Sequence, residues 1–147
     1  MRNSYGAKHM GFCFGVAGAI SMCHKVSSDE KNRDKRIYIL GMLVHNEHVV
    51  NQLSKQGFKI VEEMDILQGK DELQKGDVVI IRAHGTSERI FNILKEKEVE
   101  IYDATCVFVT QIRKTLVEME KKGYDILFIG DKNHPEIIGI NGWCENS

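Results

Sequence analysis

The sequence has little of what marks the specialised protein classes. No run of apolar residues approaches the roughly 20 needed to cross a bilayer, and there is no long block of lysine and arginine. The formal net charge is −1 at pH 7, whereas a nucleic-acid surface draws its affinity from clustered cations that face phosphates. We therefore expect neither a membrane nor a nucleic acid as a partner.

The cysteines also lack the pattern of a secreted protein. They stand too far apart for a small disulfide scaffold, at Cys13, Cys23, Cys106 and Cys144. Residues 10–23 look like a secretory signal, but Gly11 and Gly15 interrupt the apolar part early. We expect a cytoplasmic protein whose cysteines are thiols or metal ligands.

What is present is the composition of a folded domain. Hydrophobic residues make up 42% and charged residues 28% of the 147 positions, which is close to the average of soluble globular proteins. A chain of this length holds one ordinary domain, or one small domain and a piece of another. We expect a packed core.

Apolar runs of strand length alternate with stretches of helical periodicity. The runs that predict strands lie at 37–44, 58–61, 77–81, 99–102 and 125–130. Asn46 and either Thr86 or Ser87 are placed to cap helices, and Pro135 suits a first helical turn. A further helix has its predicted apolar face at Val109, Ile112, Leu116 and Met119. The charged run 27–36 predicts a solvated connection, and the alternation as a whole favours a parallel α/β sheet.

Chemically active side chains follow the predicted strands. Four of these runs end close to His45, His84, Cys106 and His134. The carboxyl ends of parallel strands meet at one edge of a sheet, so these side chains are expected there. Cys13 begins a predicted helix, where the dipole favours a thiolate, and Glu136 follows His134 closely. Thiolates suit zinc, copper(I) or iron–sulfur clusters, whereas imidazoles and helix N-termini suit an anion such as phosphate.

Each of these residues has a simpler interpretation when it is taken singly. A cysteine is often a small buried apolar residue, and this is how we interpret Cys23. A single histidine at a strand end usually satisfies a loop hydrogen bond, and Glu136 can be a first-turn acid stabilised by the helix dipole. The remaining histidines are interpreted as surface or helix residues: His9, His24 and His48. The recurrence of histidine at successive strand ends favours a functional edge.

Five short motifs resemble those of a known family. They are Gly-Phe-Cys-Phe-Gly-Val at 11–16, Val-His-Asn at 44–46, Ala-His-Gly at 83–85, Asp-Ala-Thr-Cys at 103–106 and His-Pro-Glu at 134–136. Their order and spacing are similar to those of the 4-hydroxy-3-methylbut-2-enyl diphosphate reductases, the iron–sulfur reductases that end the methylerythritol phosphate route to isoprenoids. The resemblance runs along almost the whole chain and covers about the first half of a family member.

The resemblance implies a role for each motif residue. Cys13 and Cys106 are similar to two of the three thiolates that hold a [4Fe–4S] cluster, and the third cysteine has no counterpart in this chain. The histidines that resemble the diphosphate ligands are His45, His84 and His134. Glu136 is similar to the acid that passes protons to the substrate. The implied reaction converts the allylic diphosphate into isopentenyl and dimethylallyl diphosphate, with ferredoxin or flavodoxin as the electron donor.

The resemblance also implies a fold of three similar parallel-sheet α/β domains around the cluster. We expect the first domain to be complete at 14–101 and the second to be truncated at 102–147, while 1–13 would join the third domain. Such a fragment would have little or no reductase activity alone. Two alternatives stay open: an inactive truncated remnant, and a zinc- or phosphate-binding α/β module without catalysis.

Overall fold

The computed structural model describes residue 6 and residues 11–44 and 46–144. The elements follow in the order α1 (Phe14–Ser28), a 3₁₀ turn (Glu30–Asn32), β1 (Ile37–Leu40), α2 (Glu47–Lys55), β2 (Lys59–Val61), α3 (Glu63–Gln68), β3 (Val78–Ile81), α4 (Glu88–Glu96), β4 (Glu100–Asp103), α5 (Val107–Lys121) and α6 (Pro135–Asn141). Within the described ranges, no helix is long and apolar enough to cross a membrane.

The four strands form one parallel sheet in the order β2-β1-β3-β4. Tyr38 of β1 lies opposite Val79 of β3, and Val79 lies opposite Ile101 of β4. The predicted parallel-sheet α/β fold is therefore confirmed. Strand β4 lies across the domain boundary predicted at 101, and the domain boundaries themselves stay a prediction.

Both faces of the sheet are covered, as continuous apolar strands predict. Successive residues of a strand point to opposite faces, so Ile39 and Ile80 belong to one core cluster and Leu40 and Ile81 to the other. The first cluster includes Ala19, Cys23 and Val26 of α1 with Val49 and Leu53 of α2. The second includes Ile66 of α3 with Ile90 and Leu94 of α4. The interpretation of Cys23 as a core residue is confirmed.

Three helix starts lie where the sequence predicts them. The Asn46 side chain accepts a hydrogen bond from the Val49 N–H at 3.2 Å, and the Ser87 hydroxyl accepts one from the Ile90 N–H at 3.4 Å. Each cap satisfies a backbone donor that has no partner inside its helix. Pro135 is the first residue of α6, where its missing N–H removes no helical hydrogen bond.

The charged run at 27–36 is mostly exposed and connects α1 to β1, as the sequence predicts, but one of its residues is part of the packing. Helix α1 continues to Ser28, and Asn32 is buried. The Asn32 side-chain amide donates a hydrogen bond to the Val26 carbonyl at 3.0 Å. Because the last carbonyls of a helix have no partner inside it, this amide helps to close the C-terminal turn of α1.

The prediction of a strand at 125–130 is wrong. These residues form no strand, and Leu127 and Ile129 are 85% and 92% exposed. An apolar run becomes a strand only where a neighbouring strand supplies its hydrogen bonds. None of the strands among the described residues pairs with this segment, so Leu127 and Ile129 face outward, while Ile126 and Phe128 are half-buried.

Helix α5 is present, but its predicted apolar face is only partly buried. Val109 is buried, whereas Ile112 is 45% exposed. The helix contacts α6 and contributes to neither cluster of the sheet. Its middle turns therefore lack the cover that the apolar spacing predicts.

Candidate active site

His84 lies in the loop that leaves the carboxyl end of β3. The loop turns at Gly85, whose φ of +76° suits glycine, and the Gly85 N–H donates to the Arg82 carbonyl at 3.0 Å. Helix α4 starts directly after the Ser87 cap. The short turn leaves the His84 side chain half-buried at the edge of the sheet.

Cys106 lies in the next loop, which is hydrogen-bonded to the loop of His84. The Asp103 carboxylate accepts hydrogen bonds from the Thr105 N–H, at 2.9 Å, and from the Thr105 hydroxyl. The Ala104 N–H donates to the Ile81 carbonyl at 3.1 Å, and the Cys106 N–H donates to the Ala83 carbonyl at 2.9 Å. Cys106 then begins α5, with its thiol half-buried.

Cys13 begins α1, and the first turn of α1 lies against Cys106. The Cys13 carbonyl accepts the first helical hydrogen bond from the Ala17 N–H at 2.9 Å. A Cβ atom at Gly15 would lie 2.8 Å from the Cys106 Sγ and 3.1 Å from its Cβ. Both cysteines are free thiols, and the Cys13 thiol is exposed. The N-terminal turn that follows Cys13 thus packs against the thiol at the start of the second 15-residue helix.

His84 and His134 lie close together at the same edge of the sheet, although no strand precedes His134. The ring centroids of His84 and His134 are 6.0 Å apart, with the rings inclined at 77°. His134 precedes α6, and its Nδ1 accepts a hydrogen bond from the Glu136 N–H at 3.2 Å. An Nδ1 that accepts leaves the ring proton on Nε2. The Glu136 side chain begins in this first turn of α6 and is half-buried.

The structure describes some of the remaining histidines and cysteines but not all of them. His45 lies outside the described residues, as does His9, whereas His24 and His48 are exposed, as predicted. Burial raises the pKa of the Cys23 thiol to about 12, which makes it an inert core group. The Cys144 thiol is half-buried, and burial, with a smaller contribution from Glu120, raises its pKa.

The thiols form only part of a metal site. Among residues 11–44 and 46–144, no group of three or more His, Cys, Asp or Glu side chains converges as a metal site does. The two thiols nevertheless suit a soft metal centre by their chemistry, and the glycine at position 15 lets the helix that follows Cys13 approach the Cys106 sulfur closely. They are suited to supply part of the ligand set of an iron–sulfur cluster.

The pattern of residues at strand ends does not predict the contacts of α6. The indole N–H of Trp143 donates to the Thr86 carbonyl at 2.7 Å, and Gly139 lies against the backbone of the His84 loop. The signal in the sequence is the pair of glycines, 139 and 142, spaced three apart directly after the His-Pro-Glu motif. Glycines at this spacing mark a helix that packs closely against its neighbour.

The chain is similar in sequence to reductases of known name. The chain is 50% identical over 140 residues to the 4-hydroxy-3-methylbut-2-enyl diphosphate reductase of Fusobacterium nucleatum, covering 95% of this chain and 16% of that protein. It is 46% identical over 140 residues to the enzyme of the same name from Caldanaerobacter subterraneus, covering 95% of this chain and 46% of that one. The chain thus spans less than half the length of these relatives.

Solved structures share the fold. A structure of (E)-4-hydroxy-3-methyl-but-2-enyl diphosphate reductase, described as the terminal enzyme of the non-mevalonate pathway, superposes with a TM-score of 0.78 at 34% identity. The match covers 93% of this chain and 45% of that one. The E-1-hydroxy-2-methyl-but-2-enyl-4-diphosphate reductase from Plasmodium falciparum gives 0.79 at 33% identity, covering 90% and 39%.

The predicted resemblance is confirmed along the sequence as well. The family model described as LytB protein matches residues 5–147, a span that contains all five motifs, including those of Cys13, Cys106 and His134. The chain belongs to the LytB protein family.

Proposed function

We propose that this chain is the N-terminal part of a 4-hydroxy-3-methylbut-2-enyl diphosphate reductase. The observation that carries the proposal is the meeting of two thiol-bearing helix starts, at Gly15 and Cys106, on the sheet edge where His84 and His134 also meet. A reductive dehydroxylation of an allylic diphosphate needs a redox centre beside an anion site. The relatives that carry this name support the assignment.

Cys13 and Cys106 would supply two thiolates to a [4Fe–4S] cluster. Both stand at the N-termini of 15-residue helices, and cysteine sulfurs are the ligands that hold iron–sulfur clusters. When bound, the cluster supplies the two electrons of the reaction and a Lewis-acid site for the allylic hydroxyl. A third cysteine would come from a part of the protein that this chain does not contain.

His84 and His134, together with His45, would bind the diphosphate. The rings of His84 and His134 are near enough, at 6.0 Å between centroids, for one diphosphate group to contact both. Since the His134 Nδ1 accepts from the backbone of residue 136, its Nε2 faces the ligand as a donor. Two imidazole donors on a rigid sheet edge suit a phosphate, which accepts several hydrogen bonds at once.

Glu136 would deliver the proton that accompanies loss of the hydroxyl. Glu136 directly follows Pro135, and its backbone N–H donates to the His134 ring, so the proposed acid and a proposed diphosphate ligand come from a single turn. A carboxylic acid within hydrogen-bond reach of a leaving hydroxyl acts as a general acid.

The proposed location of the protein is the cytoplasm, and the proposed electron donor is ferredoxin or flavodoxin.

One observation favours a second candidate, a phosphate-binding module without catalysis. The contact between His84 and His134 does not depend on the thiols, and no complete metal site exists among the described residues. In this case the chain would bind inorganic pyrophosphate without taking up iron.

Anaerobic reconstitution with iron and sulfide separates these functions. We expect the reconstituted chain to show a broad absorption band in the visible blue. The band should be absent from the Cys13→Ser and Cys106→Ser variants. Cys144→Ser is the matched control, because Cys144 is also half-buried but lies outside the proposed ligand set, so its band should persist. A colourless wild-type chain would overturn cluster binding. Uptake of zinc instead would favour the module.

A further inference from the structure

Helix α6 lies directly on the loop that carries His84. A Cβ at Gly139 would stand 3.4 Å from the His84 carbonyl oxygen and 3.5 Å from both the Gly85 carbonyl carbon and the Thr86 Cα. Gly139 is buried. A side chain larger than a methyl group at this position would push the helix away from the loop backbone.

The end of α6 is fixed to the start of α4. The Gly142 carbonyl accepts a hydrogen bond from the Glu88 N–H at 3.2 Å. A Cβ at Gly142 would overlap the Ser87 Cβ and lie 3.1 Å from the Ser87 Cα. The φ of Gly142 is −68°, which any residue adopts, so the close approach and not the backbone angle requires glycine.

Trp143 completes the contact by touching three parts of the fold. Its indole N–H donates to the Thr86 carbonyl at 2.7 Å. Its ring meets Phe91 of α4 edge-on, with centroids 6.2 Å apart, and the Arg113 guanidinium of α5 stands 4.2 Å from the ring centroid. An aromatic ring with a satisfied N–H and a cation over its face is a well-ordered anchor.

These contacts determine where the two histidines stand. His84 lies two residues before Thr86, and His134 directly precedes α6, so the seat of α6 sets the 6.0 Å separation of the rings. We propose that Gly139, Gly142 and Trp143 are positioning residues, which seat α6 on the loop between β3 and α4 and so hold His134 opposite His84. Their importance for a diphosphate ligand rests on the function proposed above, whereas the seating itself does not.

The chain contains a single tryptophan, so its fluorescence reports the seating of α6 alone. In the wild-type chain we expect emission typical of a half-buried indole, a nuclear Overhauser contact between the His84 and His134 rings, and saturable binding of inorganic pyrophosphate. Gly142→Ala should shift the emission to the red and weaken pyrophosphate binding about tenfold, the size of one lost charge-assisted hydrogen bond.

Two further variants separate positioning from general damage. Gly18→Ala is the matched control, since a Cβ at Gly18 meets nothing within 4 Å, and it should change neither emission nor affinity. Ser87→Gly removes the overlapping Cβ at small cost to the helix cap. The double variant Gly142→Ala with Ser87→Gly should therefore recover part of the lost affinity. If Gly142→Ala does not fold, Trp143→Phe tests the same seat, because it removes the N–H donor to Thr86 and reduces the ring that packs on Phe91 while keeping an aromatic side chain.

The outcomes distinguish the seating from the proposed function. Unchanged emission and an unchanged ring contact in Gly142→Ala would overturn the seating. If Trp143→Phe replaces it, that variant has no tryptophan to emit, so an unchanged contact between the His84 and His134 rings would overturn the seating. A displaced helix with wild-type pyrophosphate affinity would overturn the positioning role. A wild-type chain that binds no pyrophosphate would overturn the proposed diphosphate site and, with it, the positioning role. The emission of Gly142→Ala, or the histidine ring contact in Trp143→Phe, would still decide the seating.

Discussion

A Cβ atom placed on Gly15 would lie 2.8 Å from the Cys106 sulfur. Real Cβ atoms do not approach a sulfur this closely, so the first turn of α1 rests on the thiol only because residue 15 is glycine. The contact joins an N-terminal motif to a loop some ninety residues later, and it makes the surroundings of the thiol sensitive to a single methyl group.

We expect Gly15→Ala to destabilise the chain by about 1–2 kcal/mol, as overpacking does, and to reduce uptake of iron and sulfide. Gly18→Ala lies in the same helix with open space around it, so it should stabilise by about 0.5–1 kcal/mol through helix propensity. Urea unfolding followed by circular dichroism measures both. Equal stabilities of the two variants would contradict the close contact.

The four thiols should react with iodoacetamide in a definite order. Cys13 is exposed and should react first, followed by Cys106, which is half-buried. Cys144 should be slower, since burial and then Glu120 raise its pKa. Cys23 should react only on unfolding, because it is fully buried and its pKa is raised to about 12. Peptide mass spectrometry after timed quenching gives the order, and early labelling of Cys23 in the native chain would contradict the fold of α1.

An acid-sensitive contribution to stability is centred on Glu100. Its carboxylate accepts hydrogen bonds from Lys31 at 2.7 Å, Lys35 at 2.5 Å and the Tyr102 hydroxyl at 2.7 Å. These bonds lower the pKa of Glu100 from 4.5 to about 2. A carboxyl whose pKa is lower in the folded state stabilises above its unfolded pKa, so this contribution is complete above about pH 5 and is lost towards pH 2.

We expect Glu100→Gln to cost about 1 kcal/mol at pH 7 and nothing near pH 2. This cost of about 1 kcal/mol is typical of an ion pair screened by solvent, because the Glu100 side chain is 33% exposed. Thermal unfolding between pH 7 and pH 2 measures the difference between variant and wild type. Glu96→Gln is the control: Glu96 is exposed and forms no ion pair with any described residue. A stability difference between Glu100→Gln and wild type that grows as the pH falls would contradict this prediction.

The extended segment 125–130 should tolerate charge. Leu127 and Ile129 are 85% and 92% exposed, so Leu127→Lys with Ile129→Lys should change stability by less than about 0.5 kcal/mol. The same pair should lower the binding of a hydrophobic dye and slow aggregation. Leu94→Ala gives the contrast, because Leu94 is fully buried and its truncation should cost about 2–5 kcal/mol. A large loss of stability in the lysine pair would mean that the segment is covered.

Much of this architecture could be predicted from local pattern. Apolar runs predict the strands β1 and β3. Asn46 and Ser87 predict the starts of α2 and α4, because capping depends on neighbours a few residues away. The gathering of His84 and Cys106 at one edge follows from the direction of the parallel strands β3 and β4, whereas His134 follows no strand and reaches this edge through α6. The roles of these residues, and of His45, remain predictions.

The rest depends on partners that are distant in the sequence. The run at 125–130 is apolar enough for a strand, yet a strand needs another strand beside it. The exposed side of α5 at Ile112 shows that periodicity identifies an apolar stripe without saying what covers it. The seat of α6 depends on two glycines meeting the loop of His84, and such a contact exists only after the chain has folded.

The two hydrogen bonds that continue from β4 to β3 have a consequence for ligand binding. The Ala104 and Cys106 N–H groups donate to Ile81 and Ala83 beyond the last paired residues, so the loops of Cys106 and His84 extend the sheet ladder. A ligand that binds there orders no mobile loop, and little conformational entropy is lost on association. The Cys106 amide should accordingly exchange its hydrogen as slowly as the neighbouring strands, because its opening requires the sheet edge to open as well.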